Sequence, residues 1–248
     1  MTTIPPSLDR TAILIGESGL TWLAGRHVLV AGLGGVGSYA AEALARSGIG
    51  RLTLLDHDLV GVTNLNRQLP ALHSTLGRPK VAVMAERLLD IRPDIQLDAR
   101  QAFIHKEQTN ELVADGGFDY VVDCIDSLAC KTALLAACQR QEVPVVASLG
   151  TGGRLDVSRV RLGTLGKTEI CPLARELRTN LRRLGLSLDI PVVWSDEPPQ
   201  PPLPPAPLDS PVPGRPRAVN GSIGYLPGLF GMMLAGWVVT ALLGSKNP

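Results

Sequence analysis

The sequence predicts an α/β protein with a doubly wound, mainly parallel, Rossmann-like sheet, and three observations support this prediction. Short apolar runs alternate with helical patterns through the first 150 residues. The runs VLVAG, LTLLD and YVVDC are apolar almost throughout, as expected for parallel strands that are covered on both faces. A glycine-rich turn joins the first run to the helical pattern that follows it. Residues 151–248 break this alternation and predict a C-terminal elaboration of strand and helix.

The predicted elements of the first part follow one another as βα units. Predicted strands span residues 27–31, 51–55, 95–100, 119–123 and 143–147. Predicted helices span residues 36–47, 80–91, 107–114 and 127–140. Right-handed crossovers between parallel strands would place these helices on both faces of the sheet.

Residues 151–248 contain four further segments, which we expect to form one structural unit with residues 1–150. RVRLGTL predicts a strand, and PLARELRTNLRRLG predicts a basic amphipathic helix. The proline-rich segment 191–217 predicts a loop, because proline fixes φ and lacks an N–H donor, which excludes a helix or a central strand. The apolar run 229–243 is short for a membrane span and predicts a buried core or interface helix. Peripheral contact of this run with a membrane stays an open alternative.

Composition and cysteine usage narrow the class of protein. Hydrophobic residues make up 45% of the 248 residues and charged residues 19%, so the chain can bury a sizeable core. The four cysteines form no C-x-x-C pair, and no structural zinc is therefore expected. The N-terminal residues MTTIPPSLDR lack the pattern of a signal peptide, so we expect a cytoplasmic protein.

Charge is distributed unevenly along the chain. Residues 1–150 hold 13 Lys and Arg against 16 Asp and Glu, whereas residues 151–248 hold 11 against 7. The excess of positive charge is concentrated between residues 154 and 183, where a polyanionic substrate would find a favourable field. A solvated helix face is the alternative interpretation. The candidate contacts are Arg154, Arg175, Arg178, Arg182 and Arg183.

The glycine-rich turn VLVAGLGGVGSYAAEAL is typical of a nucleotide site. Its glycines permit a tight turn and let the backbone approach phosphates, and the helix that follows offers free N–H groups to an anion. Asp56 ends the next strand, where a carboxylate is placed for ribose hydroxyls. This pattern alone does not separate an NAD enzyme from an ATP enzyme. The glycines are Gly32, Gly34, Gly35 and Gly37.

Charged residues beyond the turn favour ATP. Arg67 and Lys80 would bind phosphate oxygens, a pair of cations that a dehydrogenase does not need. Asp126 follows the fourth strand and could hold Mg²⁺ through one carboxylate. Asn64 and Asp58 belong to the same predicted nucleotide site. Asn64 and Asp126 could instead be caps of local structure.

These motifs together resemble the ThiF/MoeB/HesA family, relatives of the ubiquitin-activating enzymes. The resemblance rests on GxGGxG, the acidic strand end, N-x-N-R-Q, the P-K helix start and D-C-x-D. It implies a homodimer that adenylates a carboxylate, with ribose bound by Asp56, phosphates by Arg67 and Lys80, and magnesium by Asp126. It also implies that Arg10 reaches into the partner subunit's ATP site.

The resemblance leaves several substrates open. Sulfur-carrier-activating members adenylate a C-terminal glycine but usually carry zinc-binding C-x-x-C pairs, which are missing here. Thioester transfer would need a reactive cysteine, for which Cys171 at a helix start is the one candidate. The segments GLGGVGSYAAEALARSGIG, VTNLNRQLPAL and KTEICPLARELR resemble the branch that activates and cyclises threonylcarbamoyladenosine in tRNA, and this substrate is expected. A sulfur-donor or carrier-protein partner, a non-catalytic nucleotide-binding scaffold and an NAD dehydrogenase are the alternatives.

Overall fold

The computed structural model describes residues 5–204 and 220–245. Within these residues the chain forms a seven-stranded sheet with the order β3-β2-β1-β4-β5-β7-β6. All neighbouring strands pair in parallel except β6, which is antiparallel to β7. The strands are β1 His27–Ala31, β2 Arg51–Asp56, β3 Gln96–Gln101, β4 Tyr120–Asp123, β5 Val145–Ser148, β6 Val160–Thr164 and β7 Pro191–Ser195. The predicted fold class is confirmed.

Helices cover both faces of this sheet, and one of them, α1, was absent from the sequence prediction. A glycine inside α1, Gly16, has φ 74° and kinks the helix, which splits its apolar pattern into two short pieces. The indole N–H of Trp22 donates to the carbonyl of Leu242 at 2.8 Å and ties α1 to the last helix. The helices of the described residues are α1 Asp9–Ala24, α2 Gly37–Arg46, α3 Lys80–Ile91, α4 Thr109–Asp115, α5 Leu128–Arg140, α6 Pro172–Arg183 and α7 Tyr225–Gly244.

The loop prediction for residues 191–217 was wrong at its start, where β7 lies between β5 and β6. Val192 and Val193 are fully buried there and pair with both neighbours. Pro191 is the first residue of the strand, a position where the missing N–H costs no ladder hydrogen bond. The dense prolines begin only at Pro198, and residues 205–219 lie outside the described part of the chain.

The last helix, α7, packs against α2 through glycines. A Cβ at Gly231 would collide with the carbonyl of Val36, and one at Gly228 would lie 3.3 Å from the Tyr39 ring. Phe230 and Leu234 are fully buried in the same core, whereas Met232 is exposed, so the predicted core or interface helix is buried on one side. By length and composition α7 could also cross a membrane, but half of its most apolar window is buried in the protein.

The amino end of β1 is fixed by polar contacts around His27. Asp119 accepts from the backbone N–H of His27 at 2.7 Å and from Arg26 at 2.8 Å. The buried His27 ring lies 2.9 Å from the Thr53 hydroxyl and edge-on to Phe118. Burial lowers the pKa of His27, and the nearby charge of Arg51 lowers it further.

We expect His27 to make the protein less stable in mild acid. The unfolded chain takes up a proton near pH 6.5 that the folded ring resists, so the free energy of unfolding falls as the pH drops below that value. One such group contributes a slope of at most about 1.4 kcal/mol per pH unit. Denaturant unfolding between pH 8 and 5 should show a flatter slope for H27Q than for the control H73Q, which alters an exposed histidine. Equal slopes for the two variants would contradict this prediction.

Candidate nucleotide site

The site lies at the carboxyl ends of β1, β2 and β4. Because β1 pairs in parallel with both neighbours, the segments that follow these three strands emerge at one edge of the sheet. They are the glycine turn after Ala31, the loop after Asp56 and the loop after Asp123. The sequence prediction placed most of its nucleotide-site residues on these segments, whereas Lys80 begins α3 and Arg10 lies on α1.

Two glycines of the turn are required by the packing of the backbone itself. Gly32 has φ 89°, and a Cβ there would lie 2.9 Å from the carbonyl oxygen of Cys124. A Cβ at Gly37 would collide with the carbonyl of Gly32. Gly34 leaves more room, since a Cβ there would meet nothing closer than 3.7 Å, whereas a Cβ at Gly35 would lie only 3.0 Å from Pro227. The backbone at Gly34, just before the amino end of α2, is therefore accessible to a ligand.

Asp56 stabilises the glycine turn through hydrogen bonds to the backbone. One carboxylate oxygen accepts from the backbone N–H of Leu33 at 2.6 Å, and the other accepts from the N–H of Asp58 at 2.8 Å. The residue is only 8% exposed. Asp56 thus holds the glycine turn and the β2 loop together in the protein without a ligand, and a contact with ribose stays a prediction.

Lys80, at the start of α3, is already paired. Its ammonium donates to the carboxylate of Asp58 at 2.7 Å, and its backbone N–H donates to the carbonyl of the same residue. The Lys80 side chain is 4% exposed, whereas that of Asp58 is half exposed. Among the described residues, Asp56, His57 and Asp58 form the one group of three potential metal ligands within reach of each other. The carboxylates of Asp56 and Asp58 already accept hydrogen bonds from backbone N–H groups or from Lys80, so we assign no metal to this group.

Arg67 lies against the glycine turn, with its Cγ 3.4 Å from the position of a Cβ at Gly35. Its guanidinium donates to the carbonyl of Thr63 at 2.9 Å and to the side chain of Asn66 at 2.8 Å. Burial lowers the pKa of Arg67, but the value starts so high that the group stays charged. Both contacts use Nη1, so among the described residues the Nε and Nη2 groups of the fork are left to a ligand.

Asn64 stabilises a local turn, which is the capping role given above as its alternative interpretation. Its side-chain oxygen accepts from the backbone N–H of Gly61 at 3.0 Å and closes the short 3-10 turn of residues 62–64. The neighbouring Asn66 donates to the carbonyl of Ser222 at 3.1 Å and links this loop to the segment before α7. Both asparagines therefore stabilise the conformation of the loop that carries Arg67.

Asp126 is exposed in the loop between β4 and α5. The loop is anchored by a fully buried ion pair, in which Lys131 donates to the carboxylate of Asp123 at 2.8 Å. Burial raises the pKa of Asp123, and the ammonium of Lys131 opposes this shift. An exposed carboxylate on a fixed loop at the nucleotide edge fits a magnesium ligand, since Mg²⁺ prefers oxygen donors and keeps several waters.

Sequence reasoning missed Gln68 and Lys131 as parts of the site. Gln68 is buried, its side-chain nitrogen lies 3.7 Å from the position of a Cβ at Gly34, and its side-chain oxygen finds no partner among the described residues. The glutamine of N-x-N-R-Q was a usable signal for the first of these. Nothing local in the sequence marks Lys131, because its partner Asp123 belongs to another element.

The structure divides the five arginines that were predicted to meet a polyanion. Arg154 is 3% exposed and donates to the carbonyls of Gly150 and Glu197, so it holds a loop together and does not face solvent. This placement corrects the surface role predicted for Arg154. Arg178 is half-buried and donates to the carbonyl of Thr168 at 2.8 Å. The exposed members of the set are Arg175, Arg182 and Arg183, all on α6.

Two other candidates have clear positions. Arg10 is exposed in the first turn of α1, and no contact among the described residues directs it to the nucleotide site. Cys171 precedes α6 as expected but is only 3% exposed. Burial raises the pKa of Cys138 to about 12 and raises that of Cys124 as well. None of these thiols has the exposed, electropositive setting of a nucleophile.

Comparison with known proteins gives this geometry a family. The match to the ThiF family covers residues 8–248. The chain belongs to the ThiF family. It is 43% identical over 191 residues to the tRNA threonylcarbamoyladenosine dehydratase of Bacillus subtilis, which covers 77% of this chain and 75% of that protein. The resemblance noted from the motifs is thereby confirmed.

Solved structures of relatives agree with the fold. The Escherichia coli tRNA N6-threonylcarbamoyladenosine dehydratase TcdA in complex with AMP matches with a TM-score of 0.86 at 33% identity, covering 99% of both chains. The same enzyme in complex with ATP matches with a TM-score of 0.85. The sulfur carrier protein ThiS adenylyltransferase of Escherichia coli is 39% identical over 145 residues, which covers 58% of this ThiF-family chain.

We expect G34A and G37A to separate nucleotide binding from folding. G34A has room for its methyl group and should fold normally, but that methyl group should weaken ATP binding about tenfold or more if a phosphate lies against this backbone. G37A should lose stability by about 1–3 kcal/mol, because its methyl group collides with a carbonyl. Calorimetric ATP titration and thermal unfolding measure the two effects.

The matched control is G236A, on the open face of α7. It should leave ATP affinity unchanged and raise helix stability slightly, by about 0.5–1 kcal/mol. Wild-type ATP affinity in G34A would mean that no phosphate lies at this turn.

Proposed function

We propose that this protein is an ATP-dependent enzyme that adenylates the carboxylate of threonylcarbamoyladenosine in tRNA and thereby dehydrates it. The observation that carries the proposal is the convergence of an open glycine turn, two cations and an exposed carboxylate at one sheet edge. This arrangement occurs in a chain that is 43% identical to a tRNA threonylcarbamoyladenosine dehydratase. The geometry supplies what adenylation needs, and the similarity supplies the substrate.

The reaction needs little covalent help from the protein. A carboxylate oxygen of the substrate attacks the α-phosphorus of ATP, and the bond to pyrophosphate breaks. The substrate's own ureido group then attacks the activated carbonyl, AMP leaves, and the net change in the nucleoside is loss of one water. Because the nucleophile belongs to the substrate, the burial of three cysteines and the partial burial of Cys124 agree with this route.

Arg67 and Lys80 are the side chains that would stabilise charge on the phosphates. Arg67 rests on the glycine turn, and Lys80 would exchange Asp58 for a phosphate oxygen as its partner. Backbone N–H groups at the start of α2 would add to this stabilisation. Mg²⁺ held by Asp126 would neutralise triphosphate charge when bound.

Of the arginines proposed to contact tRNA, the exposed ones on α6 remain candidates for the tRNA surface. Arg175, Arg182 and Arg183 are exposed, and the last two lie in the final turn of the helix. Contacts with phosphates along a polyanion depend on such side chains and weaken as salt rises. A cytoplasmic location, where tRNA is present, belongs to the same proposal.

A homodimer is also part of the proposal. Ile13 and Leu14 are large apolar side chains on α1 and are more than 80% exposed in the single chain. A second copy of this chain would cover such apolar side chains. Arg10 lies one turn of helix before Ile13 and would then face the partner subunit.

We expect the purified protein to convert threonylcarbamoyladenosine in tRNA to its dehydrated form when ATP and Mg²⁺ are present. R67A and D126A should reduce the rate about 10²–10³-fold, because each removes a group that stabilises the phosphates or their metal. R46A, which removes an exposed arginine on α2, is the matched control and should keep full activity. Mass analysis of the nucleosides measures the product.

Exchange of labelled pyrophosphate into ATP distinguishes the alternatives. Stimulation by a small protein that ends in Gly-Gly, but not by modified tRNA, would favour a sulfur carrier as the substrate. ATP binding without exchange under any condition would identify a scaffold. Full activity in R67A and D126A would show that the site is wrongly assigned.

Charge removal on α6 should weaken tRNA binding uniformly across sequences. In R175Q/R182Q/R183Q the slope of log affinity against log salt should fall by up to about 0.9 for each phosphate that the helix no longer neutralises. The control R46Q/R51Q/R100Q removes the same number of exposed charges elsewhere on the protein. Filter binding at several salt concentrations measures both. If the two triple variants weaken binding equally, α6 is not a specific tRNA surface.

A further inference from the structure

The ion pair between Asp123 and Lys131 is the most deeply buried charged contact of the described residues. Both side chains are fully buried, and the ammonium lies 2.8 Å from one carboxylate oxygen and 3.5 Å from the carbonyl oxygen of Asp123. Desolvating two charges costs as much as their attraction returns, so such a pair seldom exists for stability alone. Its surroundings indicate what else it does.

Asp123 uses its second carboxylate oxygen to hold the backbone of the next loop. That oxygen accepts from the N–H of Ile125 at 3.0 Å. The N–H of Cys124 donates to the carbonyl of Ala31, at the end of β1, at 2.8 Å. Both residues between Asp123 and Asp126 are therefore fixed through their backbone N–H groups.

This loop also forms one wall of the glycine turn. The position of a Cβ at Gly32 lies 2.9 Å from the carbonyl oxygen of Cys124, and that of a Cβ at Gly37 lies 3.1 Å from the Cys124 side chain. The ion pair is therefore connected to the glycine turn through this loop.

We propose that Asp123 is a positioning residue that holds Asp126 in place against the glycine turn, and that Lys131 neutralises its buried carboxylate. The proposal rests on the proposed function, because it assumes that Asp126 serves magnesium and ATP. Neither residue touches the nucleotide. Their effect passes through the backbone of Cys124 and Ile125, and partners of metal-binding side chains in this kind of role typically change metal affinity 10–100-fold.

Two double variants distinguish the effect of the hydrogen bond between Asp123 and Ile125 from the effect of the buried charges. D123N/K131M and D123L/K131M both remove the two charges together, which avoids leaving one of them buried and unpaired. Asparagine keeps an oxygen that can accept from the N–H of Ile125, whereas leucine does not. D126A is the reference for complete loss of the carboxylate, and G236A is the control for an unrelated change.

Hydrogen exchange of the peptide covering residues 124–128 gives a measure of the loop that does not depend on activity. We expect D123L/K131M to exchange at least about tenfold faster there, because the N–H of Ile125 has lost its acceptor. D123N/K131M and G236A should stay close to wild type. Equal protection in D123L/K131M and wild type would overturn the proposal.

ATP affinity measured with and without Mg²⁺ tests whether the held loop matters for Asp126. In EDTA all folded variants should bind ATP within about threefold of wild type, since Arg67, Lys80 and the turn are intact. The gain in affinity on adding Mg²⁺ should fall about 10–100-fold in D123L/K131M, to the level of D126A, and should be retained in D123N/K131M. A full magnesium gain in D123L/K131M despite faster exchange would overturn the proposal.

The failure of the proposed function has a different pattern. If D126A keeps the full magnesium gain, Asp126 does not hold the metal, and both its role and the positioning proposal are wrong. If wild type shows the magnesium gain but never dehydrates the tRNA nucleoside, the substrate is wrong, while the comparison of the two double variants still decides the role of the Asp123 side chain.

Discussion

The close contact between two backbones at the carboxyl end of β1 is the constraint on which the rest of the structure depends. Gly32 lies against the carbonyl of Cys124, and Gly37 lies against the carbonyl of Gly32, with no room for a Cβ at either place. These contacts fix the start of α2 and the loop after β4 relative to each other. Asp56 completes the arrangement by accepting from the N–H of Leu33 on one side and of Asp58 on the other.

The C-terminal part of the chain belongs to the same arrangement. Pro227, in the first turn of α7, lies against Gly35, and Asn66 in the arginine-bearing loop donates to Ser222 just before that helix. Strands β6 and β7 extend the sheet that the first part begins. A change in the packing of α7 on α2 would therefore reach the nucleotide edge through a few direct contacts.

The cations of the site are held by oxygen partners before any ligand arrives. Lys80 donates to Asp58, and Arg67 donates to a carbonyl and to Asn66. A triphosphate would replace some of these partners with oxygens of higher charge, at little cost in side-chain entropy because the side chains are already placed. Such preorganisation suits a reaction in which positioning and charge stabilisation supply most of the catalysis.

The sequence by itself determined the fold class, the glycine turn and the segments that carry Asp56, Arg67, Lys80 and Asp126. These are local patterns, and a parallel sheet brings the carboxyl ends of its strands together whatever the loops contain. It also indicated the basic helix α6 and the buried helix α7 from their periodicity and charge.

Only the tertiary structure decided the roles that depend on distant partners. Local pattern could not find α1, which is kinked at Gly16, or β7, which is buried between strands from other parts of the chain. It could not tell the buried Arg154 from the exposed Arg182, because burial depends on what packs above a residue. The pair of Asp123 and Lys131 was hidden for the same reason, since a contact between a strand end and a helix leaves no periodic trace in the sequence.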